Sequence, residues 1–139
     1  VSKVFGFQIP GVETLEDLKR KLVEGGYDLQ GKSLYVMEGL VSHLTDEAVS
    51  DLFGFISANS GKGSFLVCTY PHGDMAAALE RIRAGSEPTF GLNPPQMAEF
   101  LAERGFGQIK DLPLDEACSL YNLRAEGPIP YSIVEAAVG

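Results

Sequence analysis

Ser33-Leu34-Tyr35-Val36-Met37-Glu38-Gly39-Leu40 runs directly into Val41-Ser42-His43-Leu44-Thr45-Asp46-Glu47-Ala48-Val49, and this stretch decides the fold. Ser33 to Met37 read as a buried strand, Glu38 and Gly39 stop it, and Thr45 opens a capped amphipathic helix. Open α/β sheets build their ligand sites this way, in the crevice outside the carboxyl ends of the strands. A lone carboxylate at such a place suits a cationic ligand or a hydrogen-bonding cofactor. The competing reading of Glu38 is a turn acid facing water, the usual situation of a glutamate.

Upstream, Thr14 with Asp17 three residues later, then Leu15, Leu18, Leu22 and Val23 at helical spacing and Gly25-Gly26 beyond, describe a helix marked at both ends. Its Glu16, Lys19, Arg20 and Lys21 make a solvated face. Downstream, the helix capped by Thr45 carries Val49, Leu52, Phe53 and Ile56 as a stripe that should pack on the sheet. Ser64 to Tyr70 reads as a central strand, apolar on both faces and ended by Pro71. A helix over about 74–83, the loop from Gly85 to Gly91, and a helix from Asn93 to Gly105 follow. Gln108 to Leu112 and Pro130 to Val138 read as the last strands, with part helix and part loop over 113–127. Strands joined through helices should be parallel with right-handed crossovers. The expectation is an α/β sheet, mostly parallel, with an antiparallel pair of strands at its C-terminal edge and helices on both faces.

The chain's 139 residues suffice for one domain with a real core. Eleven Lys plus Arg against 19 Asp plus Glu give a formal charge of −8, which disfavours nucleic acid and anionic membrane as partners. No apolar run approaches the roughly 20 residues needed to span a bilayer. Val1 to Pro10 lacks an initiator Met and a secretory pattern, and reads as a cut inside a longer protein. The two cysteines, Cys68 and Cys118, fall in apolar runs without zinc-site spacing, so they read as core residues of a cytoplasmic, reducing environment.

Several motifs yield to plainer readings. Gly61-Lys62-Gly63-Ser64 precedes a strand, so no helix amino terminus is there to receive phosphate, and it reads as a turn. Asn93-Pro94-Pro95-Gln96 resembles the catalytic tetrapeptide of amino-group methyltransferases, but Gln96 cannot stack on an amine; the segment fits a helix start instead. His43 and His72, the only imidazoles, each fall just past the carboxyl end of a strand. Convergence there would suit proton transfer or substrate orientation, the bland alternative being two half-exposed loop histidines. Two imidazoles without a His-x-x-x-His helix give no case for a metal.

Met37 to Val49 resembles the segment written A-E-G-L-L-x-Y-L, followed by a capped helix, in the leucine carboxyl methyltransferase family of S-adenosylmethionine-dependent enzymes. Leu22 to Asp28, Ser64 to Tyr70 and Phe90 to Phe106 are similar to its flanking elements, so the resemblance covers about residues 15–137. It implies the Rossmann-like class I methyltransferase fold, of which residues 1–139 would supply the second half, from the fourth strand to the seventh. Glu38 and Gly39 would then stand where the fourth strand meets the methionine end of S-adenosyl-L-methionine, and a carboxylate near a sulfonium and an ammonium is favourable. His43 takes the place of the family's usual tyrosine. The implied reaction is transfer of methyl to an oxygen of a small-molecule or protein acceptor. A carboxylate acceptor needs no base; a hydroxyl acceptor makes His43 or His72 the candidate, with Tyr70 lining the cleft. The rival expectation is a noncatalytic α/β interaction module. A half-sheet would expose a strand edge, favouring a homodimer or pairing with the missing N-terminal half.

Overall fold

The structure is a computed structural model that describes residues 11–82, 90–124, 127 and 129–139. The amino-terminal stretch 1–10 and the loop 85–89, both read above from sequence, lie outside the described residues. Among the described residues, five helices and four strands follow in the order α1 (Leu15–Glu24), β1 (Leu34–Met37), α2 (Asp46–Ala58), β2 (Phe65–Pro71), α3 (Gly73–Ile82), α4 (Pro94–Ala102), β3 (Phe106–Pro113), α5 (Leu114–Leu120) and β4 (Tyr131–Val138). A short 3-10 turn, Val41–His43, lies between β1 and α2.

The helix starts are set by capping chemistry. Thr14 accepts from the Asp17 amide at 3.1 Å while Asp17 accepts from the Thr14 amide at 3.2 Å, closing a capping box on α1. Thr45 accepts from the Ala48 amide at 3.2 Å at the head of α2. The Asn93 amide donates to Gln96 Oε1 at 3.1 Å, with prolines where no amide partner is lost, so Asn93 to Gln96 is a helix start.

The sheet order is β1-β2-β4-β3. β1 and β2 are parallel, with Met37 beside Cys68; β4 is antiparallel to both β2 and β3. Three of the four strands therefore point the same way, and the chain's last strand is slotted between two of them in the opposite sense. The expected antiparallel pair is β3 with β4.

One face of the sheet carries the core. Met37, Leu66, Cys68, Val134 and Ala136 pack against Val49, Phe53 and Ile56 of α2 and Met97 and Leu101 of α4. Phe53 sits edge-to-face with Phe100 and Phe106 at ring separations of 5.8 and 6.2 Å, the arrangement aromatic quadrupoles favour. Strand alternation puts Leu34, Val36 and Phe65 on the opposite face, where they are 66%, 65% and 42% exposed.

In β3 the register slips between Gly107 and Lys110, and Gln108 adopts a left-handed φ of 50°. This bulge lets Phe106 and Asp111, five residues apart, point to the same face as Val138 and Val134, which are four apart. The Gly61 to Ser64 segment is a turn into β2. Its Gly61 amide donates to Gly31 O at 2.9 Å, and an added Cβ at Gly61 would fall 2.2 Å from Gln30 O.

Candidate functional site at the carboxyl ends of β1 and β2

Because β1 and β2 are parallel, their carboxyl ends lie side by side. β1 ends at Met37, and Glu38 and Gly39 follow, both exposed. Gly39 has a φ of 63°, the left-handed region that glycine enters without cost, and a Cβ placed there would meet nothing within 4 Å. The backbone thus borders open space. The Gly39 amide donates to Thr69 Oγ1 of β2 at 2.9 Å, which ties the turn to the neighbouring strand. His43 closes the 3-10 turn, half-buried, its amide donating to Leu40 O at 3.0 Å.

On β2, Tyr70 has no exposed surface and its hydroxyl donates to Asp111 Oδ2. Burial, and then the bond to Asp111, push the Tyr70 phenol well above its ordinary range. His72 stands where β2 gives way to α3. Its amide donates to Pro130 O at 2.8 Å, its carbonyl accepts from the Ala76 amide at 3.0 Å, and its Nε2 lies 2.8 Å from the buried Ser132 Oγ. The rings of Tyr70 and His72 are 6.1 Å apart.

A third segment closes the same end of the sheet. The Phe90 amide donates to Leu44 O at 3.0 Å, just past the His43 turn, and the Leu92 amide donates to Pro71 O at 3.3 Å. Gly91 is required there, since an added Cβ would fall 2.3 Å from the Ala76 methyl carbon.

The strand ends therefore gather an exposed carboxylate, an open glycine turn and a half-buried imidazole. Asp111 and Ser132 escape a reading of the sequence. Asp111 reaches the core face only because of the β3 bulge, and Ser132 meets His72 across 60 residues of chain. Among the described residues no three His, Cys, Asp or Glu side chains are grouped as a metal site needs, and no helix is long and apolar enough to cross a membrane.

No family model matches the chain. A candidate S-adenosyl-L-methionine-dependent methyltransferase of Mycobacteroides abscessus is 30% identical over an alignment of 135 residues that covers 88% of this chain and 44% of that protein. The chain thus spans less than half the length of the curated relative it matches. Among solved structures, an S-adenosylmethionine-dependent methyltransferase from Archaeoglobus fulgidus superposes with a TM-score of 0.58 at 15% identity, covering 94% of this chain and 67% of its own. Human N-acetylserotonin methyltransferase, solved with the cofactor, gives 0.56 at 13% identity over 76% of this chain and 29% of its own. The CurJ carbon methyltransferase gives 0.53 at 16% identity over 84% of this chain and 32% of its own.

Proposed function

We propose, from the Rossmann-like α/β fold that this chain shares with those methyltransferase structures, that it supplies the acceptor side of an S-adenosyl-L-methionine-dependent O-methyltransferase. The observation that carries the reading is the Glu38-Gly39 turn, open and acidic, at the carboxyl end of β1 beside the parallel β2. The finer assignment to the leucine carboxyl methyltransferase type rests on the wording of residues 37–49.

The residues fit the cofactor on two counts. Glu38 offers a carboxylate to a molecule that bears a sulfonium and an ammonium. Gly39 takes a left-handed φ at a turn that borders open space, so the bare backbone there can approach a ligand. When bound, the cofactor supplies an electrophilic methyl group. The chain's own work is to hold an acceptor oxygen in line with it and to exclude water. A carboxylate acceptor is nucleophilic as it stands. For a hydroxyl acceptor, His43 or His72 would be the candidate to take the proton.

Titration calorimetry with S-adenosyl-L-methionine tests this. The 139 residues alone should bind weakly or not at all, the protein that includes the upstream half should bind, and Glu38→Gln in that longer protein should weaken binding about tenfold, the worth of one partly screened charge contact. Binding that Glu38→Gln leaves untouched would defeat the placement of the site. A second reading, a noncatalytic interaction module, draws support from the exposed Leu34, Val36 and Phe65 beside a strand edge. Light scattering separates the two, because that reading requires a stable dimer or complex of the 139 residues.

A further inference from the structure

Thr69 stands between Cys68 and Tyr70, whose side chains are wholly buried on the core face, so alternation sends its own side chain to the opposite face. There its Oγ1 accepts from the exposed Gly39 amide at 2.9 Å, the bond that joins the turn after β1 to β2. A β-branched side chain has few rotamers open to it, so the direction of that hydroxyl is well defined. The peptide unit between Glu38 and Gly39 is fixed in turn. No cis bond occurs among the described residues, and in a trans peptide the N–H and the C=O point in opposite directions. Since the Gly39 N–H points at β2, the Glu38 carbonyl oxygen points away from β2. On that side β1 has no strand neighbour among the described residues, and no hydrogen bond among them reaches this oxygen.

Glu38 therefore offers two acceptors at the end of β1, its carboxylate and its outward carbonyl oxygen. A primary ammonium has three hydrogens to donate and makes its strongest bonds to such oxygens. We propose that Thr69 is a positioning residue for this turn: by taking the Gly39 amide it holds the Glu38 carbonyl oxygen outward, as a second acceptor beside the Glu38 carboxylate for the primary ammonium of a ligand. The ligand half of the proposal rests on the function proposed above, in which that ammonium belongs to the methionine end of S-adenosyl-L-methionine.

Two measurements test it. The first is amide hydrogen exchange of the 139-residue protein, read residue by residue by NMR. Gly39 should be protected although it is exposed, and Thr69→Val should speed its exchange about fivefold, the usual worth of one such bond, with the amides of Leu66 and Val67 unchanged. Thr69→Ser keeps the oxygen and should restore most of the protection. The second is calorimetry on the protein that includes the upstream half, with S-adenosylhomocysteine, which carries the ammonium, and 5′-methylthioadenosine, which lacks it. Thr69→Val should weaken the first about fivefold and leave the second unchanged, and Thr69→Ser should recover the first. Gly39 exchange that is the same in Thr69→Val, or equal weakening of both compounds, overturns the proposal, the latter because a merely structural role would act on both alike. Binding of neither compound by the unaltered longer protein would sink the proposed function and the ligand half with it, while the exchange result still decides whether Thr69 holds the turn.

Discussion

At the scale of single residues, the chemistry of β2 is governed by where alternation points each side chain. Cys68 faces the core and is wholly buried, and burial pushes its thiol from 9.0 up to about 12. Because the folded value is raised, the stability held by the neutral thiol is whole below about pH 9. It is lost as pH climbs toward 12, with Tyr70 acting in the same direction. The urea midpoint should therefore fall through that range, and fall less in Cys68→Ala. Iodoacetamide at neutral pH should label the half-buried Cys118 and spare Cys68 until the chain is unfolded, which mass spectrometry reads directly. Sequence gives half of this. Cys68 is legible as a core residue from the apolar run around it, whereas the partner of Tyr70 is not, since Asp111 lies 41 residues away and behind a bulge.

At the scale of elements, the helices announce themselves and the sheet order does not. Caps are local: Thr14 with Asp17, Thr45 alone, and Asn93 with Gln96 are each complete within four residues. Asp17 shows what such a cap does under acid. Its carboxylate accepts from the Glu13 and Thr14 amides at 3.1 and 3.2 Å, and these bonds, that of Glu13 first, lower its titration from 3.8. A depressed folded value means that the stabilisation is present above pH 3.8 and is lost as pH falls through the lower folded value. Amide exchange in α1 should accelerate as pH drops from 5 to 3, after correction for intrinsic rates, and Asp17→Asn should remove that dependence. Pairing in the sheet, by contrast, joins residues far apart in the chain. That β4 would enter between β2 and β3 is written in no local pattern, whereas the helical part expected within 113–127 is α5, Leu114–Leu120.

At the scale of the molecule, the two faces of the sheet are unlike. α2 and α4 bury one face, while the other presents Leu34 and Val36 at the free edge of the sheet. Side chains that exposed hold little of the 139-residue chain together. Val36→Thr should shift its unfolding free energy by no more than about 0.5 kcal/mol in urea titrations, whereas Val49→Ala, at a site with no exposure, should cost about 2 kcal/mol. A large loss from Val36→Thr would mean that this face is covered in solution by another copy of the chain.

The reversed strand at the centre has a consequence for how the protein is made. β2 ends at Pro71 and waits for Tyr131 to Val138, some 60 residues later on the ribosome, before its second edge is filled; among the described residues β3 pairs with β4 alone. Pairings of such long sequence separation form slowly. A nascent chain arrested before Tyr131 would hold that edge of β2 open and leave β3 without its β4 partner, a species for chaperones to guard. The molecule closes its sheet late, with a single stroke of eight residues that serves both neighbours at once.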